Sequence, residues 1–311
     1  MPKVLISDSM SEEAQNIFKK NNIDFDVKTN LPEEDILKII EDYDGLIVRS
    51  ATKVTKKIIE SAKNLKVIGR AGAGVDNIDL SIAKKNNIIV MNTPGANANA
   101  TAEHSVALIL SLIRNIPYAN SSTHKGNWEK KDIKGIELSN KTLGIIGFGN
   151  VSIQLVKLLK GFNLKIQTFS NSFNDRKNEF PNIKNVDLNE LVSTSDIISF
   201  HCKSPKDGKP IINIEHLKKM KKNTIIINAA RGNVINESDL NDALNDDLIA
   251  GAAIDVFSEE PAKSSILFNN PKIILTPHIA ASTKEAQINV AIMIANQVSD
   301  YLLNNKLVNT V

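Results

Sequence analysis

With 311 residues, 42% of them hydrophobic and 23% charged, the chain is long enough to bury two cores and has the composition of a globular protein. Thirty-eight Lys and Arg against thirty-five Asp and Glu leave a net charge of +3, and 5% aromatics leave few stacking platforms, so neither a polynucleotide nor a membrane surface is the expected partner. The single cysteine, Cys202, excludes an intrachain disulfide, and Val4-Leu5-Ile6 runs at once into Ser7 and Asp8 with no signal-peptide pattern and no spanning apolar run, so a cytoplasmic location is expected.

From the N-terminus onward, short β-rich runs alternate with amphipathic helical patterns. Strands are predicted at Val4-Leu5-Ile6, Phe25-Asp26-Val27, Leu46-Ile47-Val48, Leu65-Lys66-Val67-Ile68 and Ile88-Ile89-Val90, with helices near 11–20, 33–42, 54–63 and 79–86. Such alternation builds a parallel sheet covered on both faces. Ligands of these sheets bind beyond the carboxyl ends of the strands. That places Arg49-Ser50, the loop Gly69-Arg70-Ala71-Gly72-Ala73-Gly74, and Asn92-Thr93-Pro94 in view. Two arginines there suit an anion, although position alone also fits solvated surface charges.

After Pro94 the stretch Gly95-Ala96-Asn97-Ala98-Asn99 reads as a hinge into a long helix striped by Ala102, Val106, Ile109, Leu110 and Ile113. Pro117 is expected to stop it. His104 has no evident partner and is read as structural. Residues 117–140 are polar and irregular and hold the only tryptophan, Trp128, beside Glu129-Lys130-Lys131. An excursion of that length suggests a functional arm or a subunit contact.

A second series opens at Lys141, with six strands predicted at 142–146, 164–169, 196–200, 224–228, 251–257 and 272–275. The first runs into Gly147-Phe148-Gly149-Asn150-Val151-Ser152 and a helix marked by Ile153, Val156, Leu159 and Phe162. A glycine turn there would aim helix-start amides at a pyrophosphate, though alone it also fits an ordinary β-turn-α corner. The last helix, carrying Ile288, Ala291, Ile292, Ala295, Val298 and Leu302, has no strand after it and is expected to pack back on the first domain.

Three polar residues follow successive late strands: Arg231, Glu260 and His278. A histidine exchanges protons near neutral pH, a neighbouring carboxylate supports its imidazolium, and an arginine grips a carboxylate with two prongs. Together they describe hydride transfer at a hydroxyl or keto carbon beside a carboxylate. Metal chemistry has no such support, because the five histidines lack ligand spacing and no Cys-x-x-Cys occurs.

The runs Val4-Leu5-Ile6-Ser7-Asp8, Gly45 through Thr55, Gly69 through Asn77, Val90-Met91-Asn92-Thr93-Pro94 and Asp255-Val256-Phe257 through Pro261 resemble the D-2-hydroxyacid dehydrogenase family over nearly the whole chain. The likeness is nearest to the branch that acts on 3-phospho-D-glycerate, in a short form without a C-terminal regulatory domain. It implies an α/β fold of two doubly wound parallel-sheet domains, a Rossmann-type dinucleotide-binding domain (96–284) inserted into a flavodoxin-like substrate domain (1–95 plus 285–311). The implied reaction oxidises 3-phospho-D-glycerate to 3-phosphohydroxypyruvate with NAD, the first step toward serine.

By the same resemblance His278 is the acid/base, Glu260 its partner, and Arg231 the binder of the substrate carboxylate and C2 oxygen. Arg49, Arg70, Ala73, Gly74 and Asn97 fall on substrate-side positions, Arg49 being the phosphate contact. Lys130 matches a basic residue supplied across a dimer interface, which implies a homodimer through the 98–140 helix and arm. Gly147, Gly149, Asn150, Val151, Ser170, Asn171, Cys202, Ala229 and Ala280 fall on cofactor-side positions, and Asp255 would hold the nicotinamide carboxamide.

The departures lie in the cofactor half. Ser152 stands where the third glycine is expected, which should loosen helix-strand packing. Ser170-Asn171-Ser172 replaces the ribose-binding acid, so a 2′-phosphate is not repelled and Arg176 is close in sequence, making NADP an alternative. His201-Cys202-Lys203 lacks the usual threonine and proline, and Cys202 is read as a pocket wall. Two other functions stay open: an NADPH-dependent glyoxylate or hydroxypyruvate reductase, and a non-catalytic dinucleotide-sensing co-regulator.

Overall fold

The computed structural model describes residues 1–205 and 207–311. Two compact units are present, Met1–Ala98 with Ser282–Val311, and Asn99–Ala281.

In the first unit β1 (Lys3–Ile6), α1 (Glu13–Lys20), β2 (Asp24–Val27), α2 (Glu33–Ile39), β3 (Gly45–Val48), α3 (Lys56–Ser61), β4 (Val67–Arg70), α4 (Leu80–Lys85) and β5 (Ile89–Met91) alternate as their apolar periods require. The five strands are all parallel in the order β2-β1-β3-β4-β5, the flavodoxin-like winding. Central β3 reads Gly-Leu-Ile-Val and is buried throughout, as a strand covered on both faces must be. Alternation sends Val4, Ile6 and Ile47 to one face, against Val290, Ala291, Ile294 and Val298 of the long helix Lys284–Asn304. Leu5, Leu46 and Val48 go to the other face, against Ile36, Ile58, Ile59 and Ala83. The starts of α3 and α4 are set by side chains, with Thr55 accepting from the Ile58 amide and Asp79 from the Ile82 amide.

The second unit opens with α5 (Ala98–Ile113) and α6 (Ile116–His124). Its sheet comprises β6 (Thr142–Ile146), α7 (Asn150–Leu158), β7 (Lys165–Phe169), β8 (Lys184–Asn185), α8 (Leu188–Thr194), β9 (Ile197–Phe200), α9 (Ile214–Leu217), β10 (Ile225–Asn228), α10 (Glu237–Asn245), β11 (Gly251–Ile254) and β12 (Ile273–Leu275). All seven strands are parallel in the order β12-β11-β10-β9-β6-β7-β8. The winding reverses between β6 and β9, the Rossmann arrangement.

Two predicted features differ, and one strand was not predicted. Pro117 does not end the helical region. The backbone turns left-handed at Asn115 (φ 53°), and a new helix starts with Pro117 in its first turn, where the missing N–H is no loss. Strand β11 stops at Ile254, since Asp255, Val256 and Phe257 leave the ladder. Two-residue β8 is too short and too exposed to show a period. Among the described residues no helix is long and apolar enough to cross a membrane.

Candidate active site

At the reversal point of the second sheet, β6 ends in Gly147, whose φ of 87° and tight seat require glycine: a Cβ there would lie 2.7 Å from the His201 carbonyl oxygen. Gly149 is the opposite case, since a Cβ on it would meet nothing within 4 Å. Asn150 and Val151 open α7, and no side chain caps that helix. Amides that meet no acceptor among the described residues, beside open space, suit a pyrophosphate, so the corner fits a dinucleotide. Ser152 does not loosen it. The side chain is fully buried and donates to the Gly147 carbonyl at 2.8 Å, fastening the turn.

The Ser170 hydroxyl accepts from the Phe148 amide at 3.2 Å, while Asn171 is exposed and Arg176 lies 3.8 Å from Glu179. Cys202 is half-buried beside Gly147, and burial pushes its thiol up to about 11, which leaves it unreactive.

The second cluster is built from the ends of β10, β11 and β12. Ile225-Ile226-Ile227 closes in buried Asn228, whose side chain accepts from the Ala230 amide at 3.1 Å and donates to the Arg231 carbonyl at 2.9 Å. This fixes the loop carrying Ala229 and Arg231. The Arg231 guanidinium donates to the Ala230 carbonyl at 2.7 Å. Gly232 follows because any Cβ would collide with the Phe257 carbonyl, so this loop rests directly on the one that carries Glu260.

Asp255, fully buried just after β11, accepts from the Thr276 hydroxyl at 2.6 Å and from the Ile279 and Ala280 amides at 2.9 Å each. Burial alone would raise its carboxyl, but these donors, with His104, outweigh it and hold it below the carboxylate range. Its carbonyl accepts from the His278 amide at 2.8 Å. The turn is therefore clamped on both sides of His278, which has a φ of 52°. His104 is not isolated: its Nε2 lies 3.3 Å from the Thr276 hydroxyl and 3.5 Å from Asp255.

His278 Nδ1 and Glu260 Oε2 are 2.6 Å apart, and Glu260 Oε1 accepts from the Phe257 amide at 3.0 Å. The bond to Glu260 raises the His278 imidazole above its ordinary value against burial and the Arg231 charge. Glu260 is pushed up by burial but held lower overall by His278 and the Phe257 amide. A carboxylate-held histidine whose imidazole is raised in this way can deliver or accept a proton at a carbon beside it.

The remaining candidates lie elsewhere. Arg49 follows β3, Arg70 ends the neighbouring β4, and Ala73 and Gly74 lie in the loop beyond, with the Ala73 carbonyl held by Asn92 at 2.6 Å. Asn97 immediately precedes α5. Lys130 is exposed next to Trp128, which is 84% exposed, and Glu129 ties this arm to α6 through Ser122. Sequence reading missed Asn228, Thr276 and the engagement of His104. A polar residue closing an apolar strand and a hydroxyl two places before His278 were the available signals.

Residues 106–280, more than half the chain, match the model of the D-isomer specific 2-hydroxyacid dehydrogenase, NAD binding domain. The chain belongs to that dehydrogenase family. A D-3-phosphoglycerate dehydrogenase of Archaeoglobus fulgidus is 40% identical over 95% of the chain, which spans only 56% of that relative. A hydroxypyruvate reductase of Thermotoga maritima is 41% identical over 95% of the chain and 97% of its own length. Among solved structures of similar dehydrogenases, 3-phosphoglycerate dehydrogenase from Entamoeba histolytica with NAD⁺ bound superposes with a TM-score of 0.85 at 30% identity, covering 100% of this chain and 98% of that one.

Proposed function

We propose that the protein is an NAD-dependent D-2-hydroxyacid dehydrogenase that oxidises 3-phospho-D-glycerate to 3-phosphohydroxypyruvate. The observation that carries this is the 2.6 Å Glu260–His278 pair at the ends of β11 and β12, beside the Arg231 loop. NAD, when bound, supplies the hydride acceptor. His278 takes the proton of the C2 hydroxyl while Glu260 holds its Nδ1–H and supports the imidazolium. Arg231 binds the substrate carboxylate and C2 oxygen in two-pronged fashion. Gly147, Gly149, Asn150 and Val151 receive the pyrophosphate, Ser170 and Asn171 the adenosine ribose, and Cys202, Ala229 and Ala280 line the cofactor site. Asp255 holds the His278 turn and is the residue proposed to hold the carboxamide. Arg49, Arg70, Ala73, Gly74 and Asn97 bind the substrate, with Lys130 contributed by a dimer partner through the 98–140 helix and arm, in a cytoplasmic enzyme.

A second reading, an NADPH-dependent hydroxypyruvate reductase, is favoured by Ser170-Asn171 and by the 41% identity to the Thermotoga relative. Assaying 3-phosphohydroxypyruvate and hydroxypyruvate, each with NADH and NADPH, separates the two. The proposal expects the phosphorylated substrate with NADH to give the highest kcat/KM, and a preference for hydroxypyruvate with NADPH refutes it. A monomer by size-exclusion chromatography refutes the dimer.

A further inference from the structure

The sheet of the first unit reverses its winding between β1 and β3, and the loops beyond those strands carry Asp8 and Arg49. Ligands of doubly wound sheets sit at that crevice. Asp8 is only 4% exposed. It accepts from the Arg49 amide at 2.5 Å, from the Thr52 amide at 3.1 and 3.2 Å, and from the Thr52 hydroxyl at 2.6 Å. From the other side the Asn77 amide group donates to the Arg49 carbonyl at 2.8 Å and the Thr52 carbonyl at 2.6 Å. Residues 49–52 are thus gripped at both ends by side chains distant in sequence.

A buried carboxylate is costly unless several donors satisfy it. Merely joining β3 to α3 requires no such group. Here its lone pairs are given to the two ends of the loop, while Ser50 and Ala51 between them stay exposed and their amides meet no acceptor among the described residues. The Arg49 guanidinium is tethered to the Ser9 carbonyl at 3.0 Å. Two consecutive N–H groups and a guanidinium on one stiffened loop complement the three oxygens of a phosphoryl group.

We propose that Asp8 and Asn77 are positioning residues that hold the Arg49–Thr52 loop as a seat for the substrate phosphoryl group, an inference that rests on the phosphorylated-substrate reading above. The test is steady-state kinetics of Asp8→Asn and Asn77→Ala with 3-phosphohydroxypyruvate and with hydroxypyruvate, plus the Ki of inorganic phosphate as inhibitor. The expected result is a rise of about tenfold in KM for the phosphorylated substrate and in the phosphate Ki, with kcat and KM for hydroxypyruvate moving less than about twofold. Equal losses on both substrates, or an unchanged phosphate Ki in folded variants, would overturn the proposal. If circular dichroism shows that Asp8→Asn does not fold, Asn77→Ala decides alone. A native enzyme that prefers hydroxypyruvate instead overturns the substrate reading, and the phosphate Ki then decides the inference by itself.

Discussion

Replacing Glu260 by Gln removes the charge opposite His278 while keeping the side-chain shape. Glu260 accepts with both oxygens, from His278 at 2.6 Å and from the Phe257 amide at 3.0 Å. Glutamine has only one carbonyl oxygen. If it keeps the Phe257 bond, its NH₂ faces Nδ1 and opposes the imidazolium; if it flips, the Phe257 amide loses its acceptor. Coulomb's law at an effective dielectric of about 20 gives about 4 kcal/mol for charges about 4 Å apart. The His278 side chain is 50% exposed and that of Glu260 35%, so solvent screens much of this. About 1–2 kcal/mol remains. His278 is raised by Glu260, so the variant imidazole loses its proton at lower pH. Reduction, which needs the protonated ring, should lose its alkaline limb at lower pH than the native enzyme, and oxidation should gain its acid limb at correspondingly lower pH. The assay is NADH absorbance during reduction of 3-phosphohydroxypyruvate across pH 5 to about 10. A profile that overlays the native one, or moves to higher pH, would refute the pairing as the source of the raised value.

The other predictions bear on the supports of the site. Asp255→Asn should cost about 2–4 kcal/mol in urea unfolding, because one of three buried donors loses its acceptor. Asp255 sits below the ordinary carboxyl value of 3.8, so its contribution is present above that pH and lost as pH falls through the depressed value; the acid limb of native stability should flatten in the variant. Gly149→Ala should leave the melting temperature nearly unchanged yet raise the NADH Kd about tenfold or more, whereas Gly147→Ala should itself cost about 1–3 kcal/mol of stability, given its φ of 87°. Ser170→Asp should shift the kcat/KM ratio toward NADH over NADPH by about tenfold, and an unchanged ratio would show that the end of β7 does not read the ribose.

The alternation of apolar runs and helical periods was enough to read the first sheet and six of the seven strands of the second, because a strand covered on two faces announces itself as Leu46-Ile47-Val48 or Ile225-Ile226-Ile227. The positions of Arg231 and His278 were equally legible, since both stand just beyond strand ends. Local turn geometry was not. Pro117 breaks a helix or opens one depending on whether the preceding residue turns left-handed, and Asn115 gives no warning of that in a stretch of ordinary polar text. His104 looked isolated because its partners, Thr276 and Asp255, lie 172 and 151 residues away along the chain and meet it only when α5 lies against the sheet.

The hidden part follows one pattern in both units. Asp8 after β1 and Asp255 after β11 are buried acids whose nearby donors are mostly backbone amides and hydroxyls. Each holds the loop that carries a cation or imidazole, Arg49 in one unit and His278 in the other. A full counter-charge in the same place would neutralise the acid but leave the loop amides unsatisfied, at about 1–3 kcal/mol for each buried group. Amide donors instead satisfy the acid and fix the loop together. Their number explains why burial does not protonate Asp255. Asp255→Asn should therefore disorder the His278 turn before it unfolds the sheet, with hydrogen exchange rising at Ile279 and Ala280 while Ile226 and Ala252 remain protected. Uniform loss of protection across the unit would mean that the acid serves the core and not the turn.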